Sequence, residues 1–196
     1  MRIFLVIMLV AVFTLGLSGI VLAAETDTIV VTASPVFLAI DNSPDTWTVN
    51  GCLIPAVGKE GDGKIRKNTT YYSNPLGDWD VPSAVVVDGE CQFTITNTSN
   101  VHTDIAVNFP NFAGGDAMTN SNTGSNGATA FGAYGWYSGM TYTNKVILKA
   151  SGSDVLLSNL GETTNKKFGM EVKTQTNAFT SPTAMTSSVV ISVTEN

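Results

Sequence analysis

The chain holds one histidine, two cysteines and sixteen carboxylates. His102 is the only imidazole available as a general base, and strand alternation puts it on a polar face beside a turn. No Gly-x-Ser-x-Gly elbow occurs, so no serine is presented as a nucleophile. No two histidines stand at metal spacing, and one histidine with two cysteines falls short of zinc's four ligands. A glycosidase needs only two carboxylates, yet no acidic pair stands apart from turn positions. No glycine-rich loop ends in the lysine that cradles phosphate. No catalytic residue, cofactor site or metal site is therefore assigned, and the chain is not expected to be an enzyme.

Two weaker sets remain. Asp41, Asn42 and Asp45 lie close together, as do Asp78 and Asp80, and Asp62 sits in Gly61-Asp62-Gly63. Calcium takes six to eight oxygens from loops of this kind, but none of these has the twelve-residue loop with its closing Glu, and ordinary turn chemistry explains them equally. The second set is aromatic. Phe131–Tyr142 gathers aromatic rings among glycines, and Tyr71, Tyr72 and Trp79 form another group. Exposed flat rings stack on sugars or anchor a protein partner, which nominates Trp79, Tyr134, Trp136 and Tyr137 as a ligand or partner surface. The same rings serve equally as core, with Phe131, Trp136 and Tyr142 plugging it beneath a loop.

The compartment is read from the N-terminus. Arg2 precedes an uncharged run from Ile3 to Leu17, and Val21-Leu22-Ala23 supplies the small residues that a signal peptidase reads. This predicts a leader over 1–23, cleaved after Ala23, and one domain over 24–196; retention as a membrane anchor is the rival. Outside the cytoplasm thiols oxidise, so Cys52 and Cys91 are expected to pair. That bridge would close a loop of about 40 residues and stabilise the fold by about 4 kcal/mol through chain entropy. The net charge of -6 repels phosphate backbones and anionic lipid, which argues against nucleic acid and against a mature domain held electrostatically to a membrane.

The elements that must position these residues are strands. Phe93 and Ile95 alternate with Gln92, Thr94 and Thr96; Ile105, Val107 and Phe109 with Asp104 and Asn108. Phe168, Met170 and Val172 alternate with Gly169, Glu171 and Lys173, and Val189, Ile191 and Val193 with Ser192 and Thr194. Further strands are expected at Thr28–Ala33, Val36–Ile40, Trp47–Val49, Ala84–Val87, Lys145–Ala150 and Val155–Ser158. Asp41–Asp45 reads as a turn, Asn97–Asn100 as a tight hairpin turn, and Asn111–Gly127 as a long surface loop. No sustained helical period appears after the leader. One-sided strands must bury their apolar faces against a second sheet, which predicts an all-β Greek-key sandwich of about eight to ten strands, with a jelly roll as the alternative.

The stretch from Cys91 to Val107 contains Phe93-Thr94-Ile95-Thr96-Asn97-Thr98-Ser99-Asn100. It resembles the F-T-x-x-N-T-G-N hairpin of immunoglobulin-like modules in bacterial and archaeal secreted and cell-surface proteins, with Ser99 where glycine is usual. The resemblance implies an immunoglobulin-like fold and an extracellular setting, and no chemistry.

Together these readings point to a secreted structural or adhesive surface protein, such as a matrix component, a wall-associated module or a filament subunit. Its partners would be other copies of itself or a cell-surface polymer. A carbohydrate-binding module using the exposed aromatics is the alternative. A β-prone Thr26–Thr32 just after the cleavage site would suit strand donation to a neighbour, or simply the first strand of its own domain.

Overall fold

The computed structural model describes residues 34–49, 53–55, 63–73, 84–86 and 93–196. The leader, Thr28–Ala33, Cys52, Asp62, Asp78, Trp79, Asp80 and Cys91 lie outside the described residues. Among the described residues no helix is long and apolar enough to cross a membrane.

The described residues are all-β, in two sheets. The larger has nine strands: β1 (Ile40–Ser43), β2 (Leu53–Pro55), β3 (Thr70–Tyr72), β4 (Ala84–Val86), β5 (Phe93–Asn97), β7 (Thr119–Asn120), β8 (Ala130–Tyr137), β9 (Val146–Ile147) and β11 (Asn165–Lys173). The smaller has three, in the order β10 (Val155–Leu160), β6 (Thr103–Asn108), β12 (Val190–Glu195). β11 is the branch point. Its first half pairs with β5 and its second half with β3 on one edge, while β8 runs along the other. Every pairing is antiparallel except that of β7 with β8.

Alternation builds the core between the sheets. Phe93, Ile95, Phe168, Met170 and Val172 come from the larger sheet and meet Ile105, Val107, Leu156 and Leu160 from the smaller. Phe93 and Phe168 face each other across the β5–β11 register, with ring centroids 5.2 Å apart. Phe109, Phe112 and Phe131 close one part of this core as mutually tilted rings, with centroids 5.0–5.6 Å apart.

The structure departs from the sequence reading where polar residues or glycine break the alternation. β8 is eight residues long and central, yet Gly132 and Gly135 hide its period. Both glycines are needed for space. A Cβ on Gly132 would stand 1.9 Å from the Gly124 carbonyl oxygen, and one on Gly135 would stand 3.0 Å from Leu148. The segment 111–127 is not a plain surface loop: Phe112 and Met118 are buried in the core, and Thr119–Asn120 form β7. Asp41–Ser43, expected as a turn, belongs to β1, because β5 supplies its hydrogen-bonding partners. Trp47–Val49 is not a strand; Trp47 and Val49 pack onto the core without a ladder. β9 is shorter than the strand expected at Lys145–Ala150, and the short β2 and β3 carry too few residues to show a period.

The Asn97–Asn100 turn does not close a hairpin. β5 belongs to the larger sheet and β6 to the smaller, so the turn carries the chain across the core. Asn97 makes this possible. Its buried amide donates to the carbonyls of Val101, Leu160 and Gly161 at 2.9–3.1 Å and accepts the Ser99 N–H at 2.9 Å. It is therefore engaged in the fold. Ser99, in the glycine position of the resemblance, is buried, and its hydroxyl holds the Ala39 backbone at 2.7 and 2.9 Å. Asn97→Ala strands several buried polar groups and is expected to cost about 2 kcal/mol in denaturant unfolding; Ser99→Gly, which loses only its hydroxyl bonds, is expected to cost about 1 kcal/mol.

Candidate functional site

The outer face of the larger sheet collects polar and aromatic side chains by register alone. Tyr134 on β8 and Tyr72 on β3 both lie opposite Glu171 on β11, and Trp136 lies opposite Gly169. Odd-numbered β8 residues point into the core and even-numbered ones point out, so Trp136 belongs to this second cluster with Tyr72. A 3-10 turn at Tyr142–Asn144 then folds over it and brings in Tyr142 and Lys145. Tyr72, Trp136 and Tyr142 pack edge to face, with centroids 5.4–6.3 Å apart.

At the centre is a charged group. The Lys145 ammonium contacts Glu171 Oε2 and donates to the Tyr142 hydroxyl at 3.0 Å. That hydroxyl donates to the same Glu171 oxygen at 2.5 Å, and the Tyr72 hydroxyl lies 3.4 Å away. The ammonium also sits 4.3 Å from the ring centroids of both Tyr134 and Tyr142, where the negative ring faces attract it. Only 19% of the Lys145 side chain and 7% of the Glu171 side chain are exposed. Desolvation, and then the hydrogen bond to Glu171, push the Tyr142 phenol well above the ordinary tyrosine range. Desolvation also raises Tyr72. Both phenols are therefore neutral proton donors at any ordinary pH.

The sign of the pH effect follows. A phenol whose folded pKa lies above its unfolded value of 10.0 contributes its full stability below that value and loses it as the pH rises further. The unfolding midpoint is expected to fall above about pH 10. Replacing Tyr142 by Phe should lower the midpoint at neutral pH but flatten the alkaline fall, which pH-dependent thermal unfolding measures directly.

The four aromatics nominated from sequence do not form one platform. Trp136 has 0% exposure, so neither face of its indole is open to stacking. Tyr134 is half-buried with the Lys145 ammonium over its ring. Tyr137 is half-buried on the opposite face of β8, where it packs against the main core. Trp79 is outside the described residues. Sequence reading missed Glu171 and Lys145 as a pair. They are 26 residues apart, and only the register of β11 joins them.

The other candidates are surface ties. His102 Nδ1 lies 2.7 Å from Asn159 Oδ1, the Asn159 N–H donates to Asp104 at 2.9 Å, and the Asn196 amide donates to that carboxylate at 2.6 Å. Within this group the imidazole is bonded to the Asn159 carboxamide oxygen and not to a carboxylate. Asp116 clasps the Thr180–Ser181 backbone. The Ser181 N–H, then the Thr180 hydroxyl and N–H, hold its carboxyl below the usual range. Among the described residues no three His, Cys, Asp or Glu side chains converge on a point where a metal could bind. Asp41 and Asp45 belong to no such group. No protein-family model, curated protein or solved structure matches the chain.

Proposed function

We propose that this chain is an exported, non-catalytic structural or adhesive protein of the cell exterior, built as an immunoglobulin-like sandwich. One observation carries the reading: side chains able to do chemistry are spent on holding the protein's own backbone and each other. Asn97 ties the crossing between sheets. Asn120 donates to the Phe109 and Leu148 carbonyls at 2.7–2.8 Å and accepts the Asn122 N–H. Thr174 bonds the backbone of Arg66 and Thr69, and Ser73 accepts the Met170 N–H. Such latches remove the loop freedom that a protease outside the cell exploits.

The leader-like N-terminus and the two cysteines support export, and the two-sheet arrangement with its crossing turn at Asn97 supports the immunoglobulin-like form. The carbohydrate-binding alternative loses its best platform with the burial of Trp136. Its partner class would be copies of itself or a surface polymer.

Fractionating the producing cell and imaging the native material tests this reading. The protein should be found outside the membrane, oxidised at Cys52 and Cys91, attached to the surface or assembled, and inert on a polysaccharide panel. Reduced protein soluble in the cytoplasm, or turnover of any glycan, would overturn it.

A further inference from the structure

Two stretches of the chain fit the acceptor pattern for an N-linked glycan, Asn-x-Ser/Thr with x other than proline. They are Asn68-Thr69-Thr70 and Asn97-Thr98-Ser99. An N-linked sugar takes the place of one hydrogen on the side-chain amide and needs open space beside it. Whether the sugar is attached before or after folding, the finished protein must accommodate it. The fold treats the two asparagines in opposite ways.

At Asn97 neither requirement is met. The residue has 0% exposure, and its Nδ2 shares its hydrogens among the Val101, Leu160 and Gly161 carbonyls. A sugar on that nitrogen would break at least one of these bonds and would have to lie inside the crossing between the sheets.

Asn68 meets both. It is exposed, in a turn at residues 67 and 68 just before β3. Its φ of +48° is a left-handed conformation that asparagine adopts more readily than most residues. The backbone around it is firmly held. The Asn68 N–H donates to the Gln175 carbonyl at 2.7 Å, and the Thr69 N–H donates to the Thr174 hydroxyl at 3.0 Å. The Asn68 carboxamide oxygen accepts the Asn126 amide at 3.2 Å, whereas among the described residues nothing accepts a hydrogen from its Nδ2. Glycosylation keeps that oxygen and uses that nitrogen, so every bond of the turn survives it. Thr70, whose hydroxyl completes the acceptor pattern, is the first residue of β3 and only half-buried.

We infer that Asn68 carries an N-linked glycan and that Asn97 does not. This rests on the export proposed above. The donor class is an oligosaccharide carried on a polyprenyl phosphate. Nδ2 bonds to the anomeric carbon of the first sugar as the bond from that carbon to the phosphate oxygen breaks, and the displaced amide proton passes to the phosphate. The glycan is then anchored beside the end of β11, where Asn68, Thr69 and Asn126 bond to Thr174 and Gln175.

Intact-mass and glycopeptide mass spectrometry of the protein, as its own cell exports it, tests this. A sugar mass should map to Asn68, with Asn97 bare. Asn68→Gln and Thr70→Val should each remove it, and Thr70→Ser should keep it, all with unchanged circular dichroism spectra. Exported protein with a bare Asn68 overturns the inference and leaves the structural role standing, as does folded protein with its sugar on Asn97. A sugar that survives Thr70→Val also overturns it, because attachment would then ignore the acceptor pattern. Reduced, sugar-free protein in the cytoplasm overturns this inference and the export reading together.

Discussion

Gly132→Ala should destabilise the protein by more than about 3 kcal/mol, or prevent folding. The added Cβ would lie 1.9 Å from the Gly124 oxygen and 2.4 Å from its carbonyl carbon. Both are backbone atoms, so no side-chain rotation relieves the clash. Gly124 cannot simply withdraw. It has a φ of +75°, and its own α-carbon rests on the Tyr134 ring, where a Cβ would stand 2.2 Å from the phenol. The loop is also pinned on both sides, by the Ser121 N–H to the Phe131 carbonyl at 2.9 Å and by the Asn122 carboxamide to the Ala150 N–H at 2.7 Å. Gly152→Ala is the matched control. Gly152 has a φ of +64° but nothing within 4 Å of a built Cβ. It isolates backbone strain, expected near 1 kcal/mol. Denaturant midpoints for the two variants separate close packing from strain; equal losses would show that the Gly124–Gly132 contact is unimportant.

The second large effect concerns the outer-face cluster. Lys145→Met should cost about 3 kcal/mol, because it leaves the Glu171 carboxylate enclosed without its cation. This sits at the lower end for a buried pair, since the lysine keeps some contact with water. Adding Glu171→Leu to that variant should restore most of the loss, because the apolar replacements fit among the rings of Tyr72, Trp136 and Tyr142. A double-mutant cycle on unfolding free energy measures the coupling. If the cluster were a working site instead, the single variants would keep their stability and lose a binding or turnover signal.

Strands with clean alternation were legible from sequence. β5, β6, β11 and β12 are found within two or three residues of their expected limits, and their alternating apolar residues lie in the core or pack against it, while Val190 on β12 is exposed. β8 escaped because glycine contributes no hydropathy signal, although its two glycines are what let Gly124 and Leu148 approach. The burial of Phe112 and Met118 escaped because they stand alone in a polar run; Phe112 packs on Phe131 of β8, which no local pattern encodes. Asn97 was legible as a turn residue. Its three carbonyl partners were not, since two of them lie more than 60 residues away. The aromatic segment was visible, but whether Trp136 faced water depended on the parity of β8 and on Tyr142 folding over it.

If polar side chains hold this fold together, loop amides should resist exchange as strand amides do. Hydrogen exchange of the exported protein, resolved to single residues, measures this at Thr69, Ser99 and Asn122, whose N–H groups bond to Thr174, Asn97 and Asn120. They should exchange as slowly as amides within β11, and Ser99 should speed up sharply in Asn97→Ala. Exchange at all three as fast as in an unstructured peptide would contradict the account.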